Sequence, residues 1–235
     1  WKAYKDEDGD VSWDSPWGKG RPGWHMECSA MSMAYLGDHF DIHCGGVDNK
    51  FPHHENEIAQ SVCAVDTPFV NFWLHSEFLL VDGGKMSKSL GNFYCIPDLF
   101  EKGFRAEEIR YILLSAHYRT KVNFTLDKQH EAKVSIRRIQ ELQSRLEEMD
   151  SEVWDGFPTE MEQFNIAIEN DLDSPNALAV FFEWIRNTNS KLDEKAFTES
   201  DVFEGLNFIA YFDSIYGILP KASSAPKDVI GLVEE

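Results

Sequence analysis

The residues of this chain best suited to chemistry are Lys85-Met86-Ser87-Lys88-Ser89, which follow an apolar run and a Gly83-Gly84 turn and lead into Leu90-Gly91-Asn92. Two lysines three positions apart, on a short stretch of hydroxyl residues, can set two ammonium charges and several hydroxyl or amide donors around a polyphosphate. Negative charge accumulates there as a phosphoanhydride breaks. A solvated surface turn has a similar composition, so the weight lies in the fixed order of all five residues. A second constellation is Phe51-Pro52-His53-His54-Glu55-Asn56-Glu57. On a helix opened by Pro52, His53 and Glu57 stack four apart on one face, so an imidazole and a carboxylate can share a metal. The same stretch also reads as a polar first turn whose acids favour the helix N-terminus. Cys28 would add a thiolate, completing three ligands of the kinds zinc takes, although a cysteine by itself is more often a small buried residue, and Cys44 is a competing sulfur. Finally, Gly45-Gly46-Val47-Asp48 would let backbone approach a nucleotide at Gly46 while the Asp48 carboxylate meets ribose or amino donors.

These groups need elements to hold them. Residues 25–36 read as a helix stopped by Gly37, and residues 40–44 as a short parallel strand with the glycine turn at its carboxyl end, where ligands of α/β sheets sit. Residues 71–82 are β-rich, include His75 as either a strand-pairing or a nucleotide-contacting residue, and deliver the lysine loop. Residues 1–23 are loop, dense in Gly and Pro, with Trp13 and Trp17 expected to pin it onto a core. After Tyr94 the pattern is helical: residues 97–102 and 106–117, then a long helix capped by Thr125 with apolar positions Ala132, Ile136, Ile139, Leu142, Leu146 and Met149. Thr159 with Glu162 suggests a capping box, Ser174-Pro175 an N-cap with a first-turn proline, and Leu206, Ile209, Phe212 and Tyr216 a last helix ending at Gly217. These are stripes of an antiparallel bundle, with residues 222–228 as a linker.

With 235 residues, 43% of them apolar and 13% aromatic, the chain can bury a real core. No run approaches the ~20 apolar residues of a membrane span, and the start at Trp1 has neither signal-peptide character nor a methionine, so the chain reads as cytoplasmic and as beginning within a longer protein. Four cysteines (Cys28, Cys44, Cys63, Cys95) without close pairing predict free thiols. A net charge of −19 argues against non-specific nucleic-acid binding. Residues 96–125 carry five basic side chains (Lys102, Arg105, Arg110, Arg119, Lys121) against four acidic ones, and are the local candidate for an RNA-facing surface.

The lysine pentapeptide matches the signature loop of class I aminoacyl-tRNA synthetases. Together with Gly20-Arg21-Pro22-Gly23-Trp24-His25-Met26-Glu27-Cys28, the His53-His54-Glu55-Asn56-Glu57 stretch, Leu113-Leu114-Ser115-Ala116-His117-Tyr118-Arg119 and Asp173-Ser174-Pro175-Asn176-Ala177-Leu178, it resembles the cysteinyl-tRNA synthetase family in order and spacing over nearly the whole chain. The resemblance implies an α/β fold followed by all-α: the second half of a Rossmann-like catalytic domain (residues 1–94), a stem-contact segment (95–125) and a helical bundle on the tRNA side (126–235). It implies Zn2+ held by Cys28, His53 and Glu57 as three of four ligands, and a cysteine pocket lined by Trp24 and His43. ATP with Mg2+ would be bound by Gly46, Asp48, Lys85, Met86, Ser87, Lys88 and Ser89, with Lys85 and Lys88 catalytic. Partners would be L-cysteine, tRNA(Cys) and the N-terminal half of the same enzyme, which supplies the fourth zinc ligand and a His-x-Gly-His turn that this sequence lacks. Cys44 and Glu77 stand where the family usually has glycine. Two further readings are a cysteine:amino-sugar ligase of mycothiol synthesis, which shares the catalytic core, and a zinc- or RNA-binding module without activity.

Overall fold

The computed structural model describes residues 1–149 and 156–220; the linker expected at residues 222–228 lies outside them. The chain forms two compact units, Trp1–Phe78 and Leu79–Glu235.

In the first unit, β1 (Lys2–Ala3) and β2 (Gly20–Arg21) pair antiparallel, and a Trp13–Gly20 bridge closes the loop between them. Trp13 and Trp17 do not pin this loop to a core, for they are 55% and 75% exposed and backbone bonds hold it instead. Helix α1 (Trp24–Leu36) stops at Gly37, whose φ of 88° suits glycine. Strand β3 (Phe40–Gly46) and β4 (Val70–Ser76) pair in parallel and are joined through tight turns and helix α2 (Glu55–Val65), a βαβ crossover. Alternation puts His43, Gly45, Trp73 and His75 on one face, while Ile42 and Phe72, paired in register, stand exposed on the other. The interior of this unit is unusual: its buried residues are Gly20, Ser29, His53, His54, Glu57, Ser61 and Phe69, so Phe69 is the lone apolar side chain among them. Burying imidazoles and a carboxylate is costly unless something satisfies them.

The second unit begins with a small sheet, β6 (Gly84–Lys85), β5 (Leu79–Val81) and β7 (Val122–Phe124) in that order, β6 antiparallel and β7 parallel to β5. Helices α3 (Ile96–Glu101) and α4 (Ala106–Leu114) pack Leu99, Ile109 and Ile112 with Phe104, Phe124 and Ala132. Then α5 (Lys128–Glu147), α6 (Glu160–Glu169), α7 (Ser174–Asp193) and α8 (Glu199–Tyr216) form the bundle, whose core includes Phe164, Phe181, Phe208 and Phe212. Ala132, Ile136, Ile139, Leu142 and Leu146 are all fully buried, as their spacing predicts, but Met149 lies past the helix end and is 37% exposed. The caps differ from expectation. Helix α5 starts beyond Thr125, whose carbonyl accepts a turn bond from Lys128, and α4 ends three residues before His117. The Thr159 hydroxyl bonds the Glu160 carboxylate rather than the α6 backbone, and the side chain capping α7 is Asp173, one residue before Ser174. Among the described residues no helix is long and apolar enough to cross a membrane.

Candidate metal centre and phosphate loop

Glu57 sits on the first turn of α2 and is 0% exposed. One turn earlier, His53 Nε2 stands 2.7 Å from Glu57 Oε1, and Cys28 of α1 brings its sulfur to the same place: the three donor atoms lie within 4.8 Å of one another. Oε1 receives no hydrogen bond, because the His53 contact lacks hydrogen-bond geometry. Oε2 is satisfied, with His43 Nε2 at 2.8 Å. Trp24 stacks on the His53 ring at 3.9 Å between centroids, His25 meets the other His53 nitrogen, and His43 stacks on Trp73 at 4.6 Å. Trp24 and His43 thus flank the donor set, one over His53 and one at Glu57.

The electrostatics favour a cation. Burial lowers the His53 pKa despite Glu57, which favours the neutral ring that can ligate a metal. Burial, then the Glu57 and Glu27 carboxylates, push the Cys28 thiol up, so its thiolate needs a nearby positive charge. An orphaned buried carboxylate oxygen, a neutral imidazole and a thiol together fit zinc. A second set, His43, His54 and Glu57, also lies within 4.8 Å. It has no sulfur, its Glu57 oxygen is already bonded to His43, and His54 Nδ1 is engaged with His75 Nε2 at 2.8 Å. The first set is therefore the better metal site. Cys44 does not compete, since strand alternation turns it to the exposed face opposite His43.

At the end of β3, Gly46 is followed by a turn in which Asp48 folds back: a Cβ on Gly46 would meet Asp48 Oδ1 at 2.5 Å. The side chain is exposed. In the second unit, the lysine loop leaves β6 and is organised by Asn92, a residue to which the sequence assigned no role. Asn92 Oδ1 accepts from Ser87 N (2.9 Å), and its Nδ2 donates to Lys85 O (3.1 Å) and Val81 O (3.4 Å). Ser87 and Ser89 hydroxyls bond each other at 2.8 Å. Both lysines are exposed, with Lys88 Nζ 5.3 Å from the Phe93 ring centre. Further on, several cations of residues 96–125 are taken up by the protein: Arg105 pairs with Glu108, Arg110 bonds the Tyr216 carbonyl, and Arg119 pairs with Asp171 at 2.8 Å.

A βαβ unit whose strand ends in a glycine turn, then a lysine loop and a helical bundle, is the layout of a class I synthetase. A LeuRS of Agrobacterium radiobacter K84, solved as a ternary complex with tRNA and LeuAMS, has the same fold over 90% of this chain and 32% of its own, with TM-score 0.65 at 15% identity. Residues 1–134 match the model of the tRNA synthetases class I (C) catalytic domain, and the chain belongs to that family. Cysteine–tRNA ligases of Chlamydia muridarum and Brachyspira hyodysenteriae are 47% and 52% identical over 100% and 82% of this chain. The aligned parts are 53% and 42% of those proteins, so the chain spans about half the length of the curated relatives it matches.

Proposed function

We propose that this chain is part of a cytoplasmic enzyme that activates L-cysteine with ATP and passes the cysteinyl group to tRNA(Cys). The convergence of Cys28, His53 and Glu57 on one point carries the reading, because a sulfur-containing donor set suits selection of a thiol substrate. The relatives' shared name supports tRNA, rather than an amino-sugar, as the acceptor. Zinc bound there would take the substrate thiolate as a ligand, and so prefer cysteine to serine.

The chain's own residues do the rest. Trp24 and His43 wall the cysteine pocket, and the glycine at 46 lets the Asp48 carboxylate fold back over the strand end, where it meets the nucleoside. Lys85 and Lys88, with hydroxyl and amide donors of Met86, Ser87 and Ser89, offset charge on the Mg2+-bound phosphates as the cysteine carboxylate attacks the α-phosphorus and pyrophosphate leaves. Residues 1–94 would serve as the second half of the catalytic domain, 95–125 as the stem-contact segment and 126–235 as the tRNA-side bundle, completed by the N-terminal half of the same enzyme. The test is ATP–pyrophosphate exchange by a polypeptide of the relatives' length that contains this chain. Exchange dependent on cysteine and not supported by serine is expected; exchange with serine at a comparable rate would contradict the reading.

A further inference from the structure

His53 and His54 are neighbours that face different tasks. His53 turns towards Cys28 and Glu57, whereas His54, 3% exposed, turns towards β3 and β4. Its Nδ1 lies 2.8 Å from His75 Nε2. His75 is the register partner of Gly45, and a Cβ on Gly45 would fall 2.6 Å from His54 Cε1 and 2.9 Å from its Nε2. Only glycine lets the ring seat against the strand at this point. The ring also packs on Trp73 and His43, at 4.8 and 4.7 Å between centroids. Gly46 and Asp48 follow directly, so the position of the glycine turn is set where His54 meets Gly45.

We propose that His54 is a positioning residue that fixes the turn at residues 45–48 against the helix carrying Glu57, and so holds the nucleoside-contacting groups in register with the metal ligands. The functional half of this statement rests on the proposed nucleoside role of Gly46 and Asp48. An imidazole serves where an apolar side chain would not, because it both fills the space over Gly45 and bonds His75 across the sheet.

The experiment compares His54→Ala, Gly45→Ala, the double variant and His54→Asn, which keeps a polar group at the Nδ1 position. In the 235-residue chain, amide exchange at residues 45–48 is expected to quicken about tenfold in either alanine single, on the scale of a local opening. The double variant should be no worse than His54→Ala, since removing the ring makes room for the new methyl group, and His54→Asn should recover most of the protection. In the relatives-length polypeptide, KM for ATP should rise while KM for cysteine and zinc content stay unchanged. Unchanged amide exchange in His54→Ala, effects that multiply in the double variant, or zinc lost in step with activity would each overturn the proposal. If the unsubstituted polypeptide shows no cysteine-dependent exchange, the functional reading fails instead, and the amide-exchange comparison still decides the role of His54.

Discussion

Glu57 Oε1 and His53 Nε2 stand 2.7 Å apart, one helical turn from each other, with no hydrogen bond closing the gap. A buried carboxylate oxygen in that state is unfavourable, and a cation shared with His53 and Cys28 removes the penalty. Zinc should therefore raise the melting temperature of the chain, by mass action on a site that exists only when it is folded. In Glu57→Gln that rise should shrink or vanish, while the metal-free variant melts no lower than the metal-free original. Thermal unfolding with and without zinc measures both, and an undiminished zinc effect in Glu57→Gln would contradict the assignment.

Lys88→Ala, in the relatives-length polypeptide, should slow adenylate formation by roughly a hundredfold, the scale for removing one preorganised charge stabiliser. KM for cysteine should barely move, because Lys88 acts on phosphate charge and the thiol is held elsewhere. Pyrophosphate exchange at varied cysteine concentration separates the two effects; a normal rate with weakened cysteine binding would place Lys88 at the amino acid rather than at the phosphates.

Glu108 is fully buried at the start of α4. Its carboxylate accepts from Arg105 N (3.0 Å), Arg105 Nε (3.0 Å) and Gln129 Nε2 (2.9 Å). Burial raises its pKa, but the bonds from Gln129 and Arg105 outweigh it and the net shift is downward from 4.5. A carboxyl with a depressed folded pKa contributes stability that is present above its unfolded value and lost as pH falls through the folded one. Glu108→Gln should thus cost about 1–2 kcal/mol at pH 7 and less in acid below the ordinary carboxyl range, as charge-assisted bonds become neutral ones. Urea unfolding at the two pH values checks this; an equal cost at both would mean that charge is not what Glu108 contributes.

In the bundle, Phe181 of α7 lies flat on Phe212 of α8, ring centres 3.8 Å apart and planes within 2°. Both are fully buried. Phe181→Ala should cost about 3–5 kcal/mol, the usual range for an aromatic cavity. Urea denaturation followed by far-UV circular dichroism reads this directly, and a cost under about 1 kcal/mol would mean that the bundle closes over the space.

The bundle was legible because its stripes depend only on local period: Ala132, Ile136, Ile139, Leu142 and Leu146 are spaced for one face and are buried together. The caps were not, since Asp173 and Ser174 are both good capping types and the choice depends on where the backbone turns. In the site, His53 and Glu57 could be paired from helical spacing alone, but nothing local ties either to Cys28 on another helix. Family resemblance supplied that link; in the structure the donor atoms of the three residues lie within 4.8 Å of one another. His54 escaped notice because its partners, Gly45 and His75, come from two strands, and Asn92 because an asparagine after a glycine reads as turn chemistry. Trp13 and Trp17 misled for the opposite reason: hydrophobicity predicts burial only where there is a core to enter, and the interior of this unit is mostly polar.

The central claim is that Cys28, His53 and Glu57 hold zinc, and metal content per chain tests it most directly. The purified chain, equilibrated with excess zinc and corrected for free metal, should bind up to about one zinc per chain, the stoichiometry of a single zinc site to which this chain brings three of four protein ligands. Cys28→Ser should lose most of it, while Cys44→Ser and Cys63→Ser keep it. Zinc retained undiminished in Cys28→Ser would contradict the account.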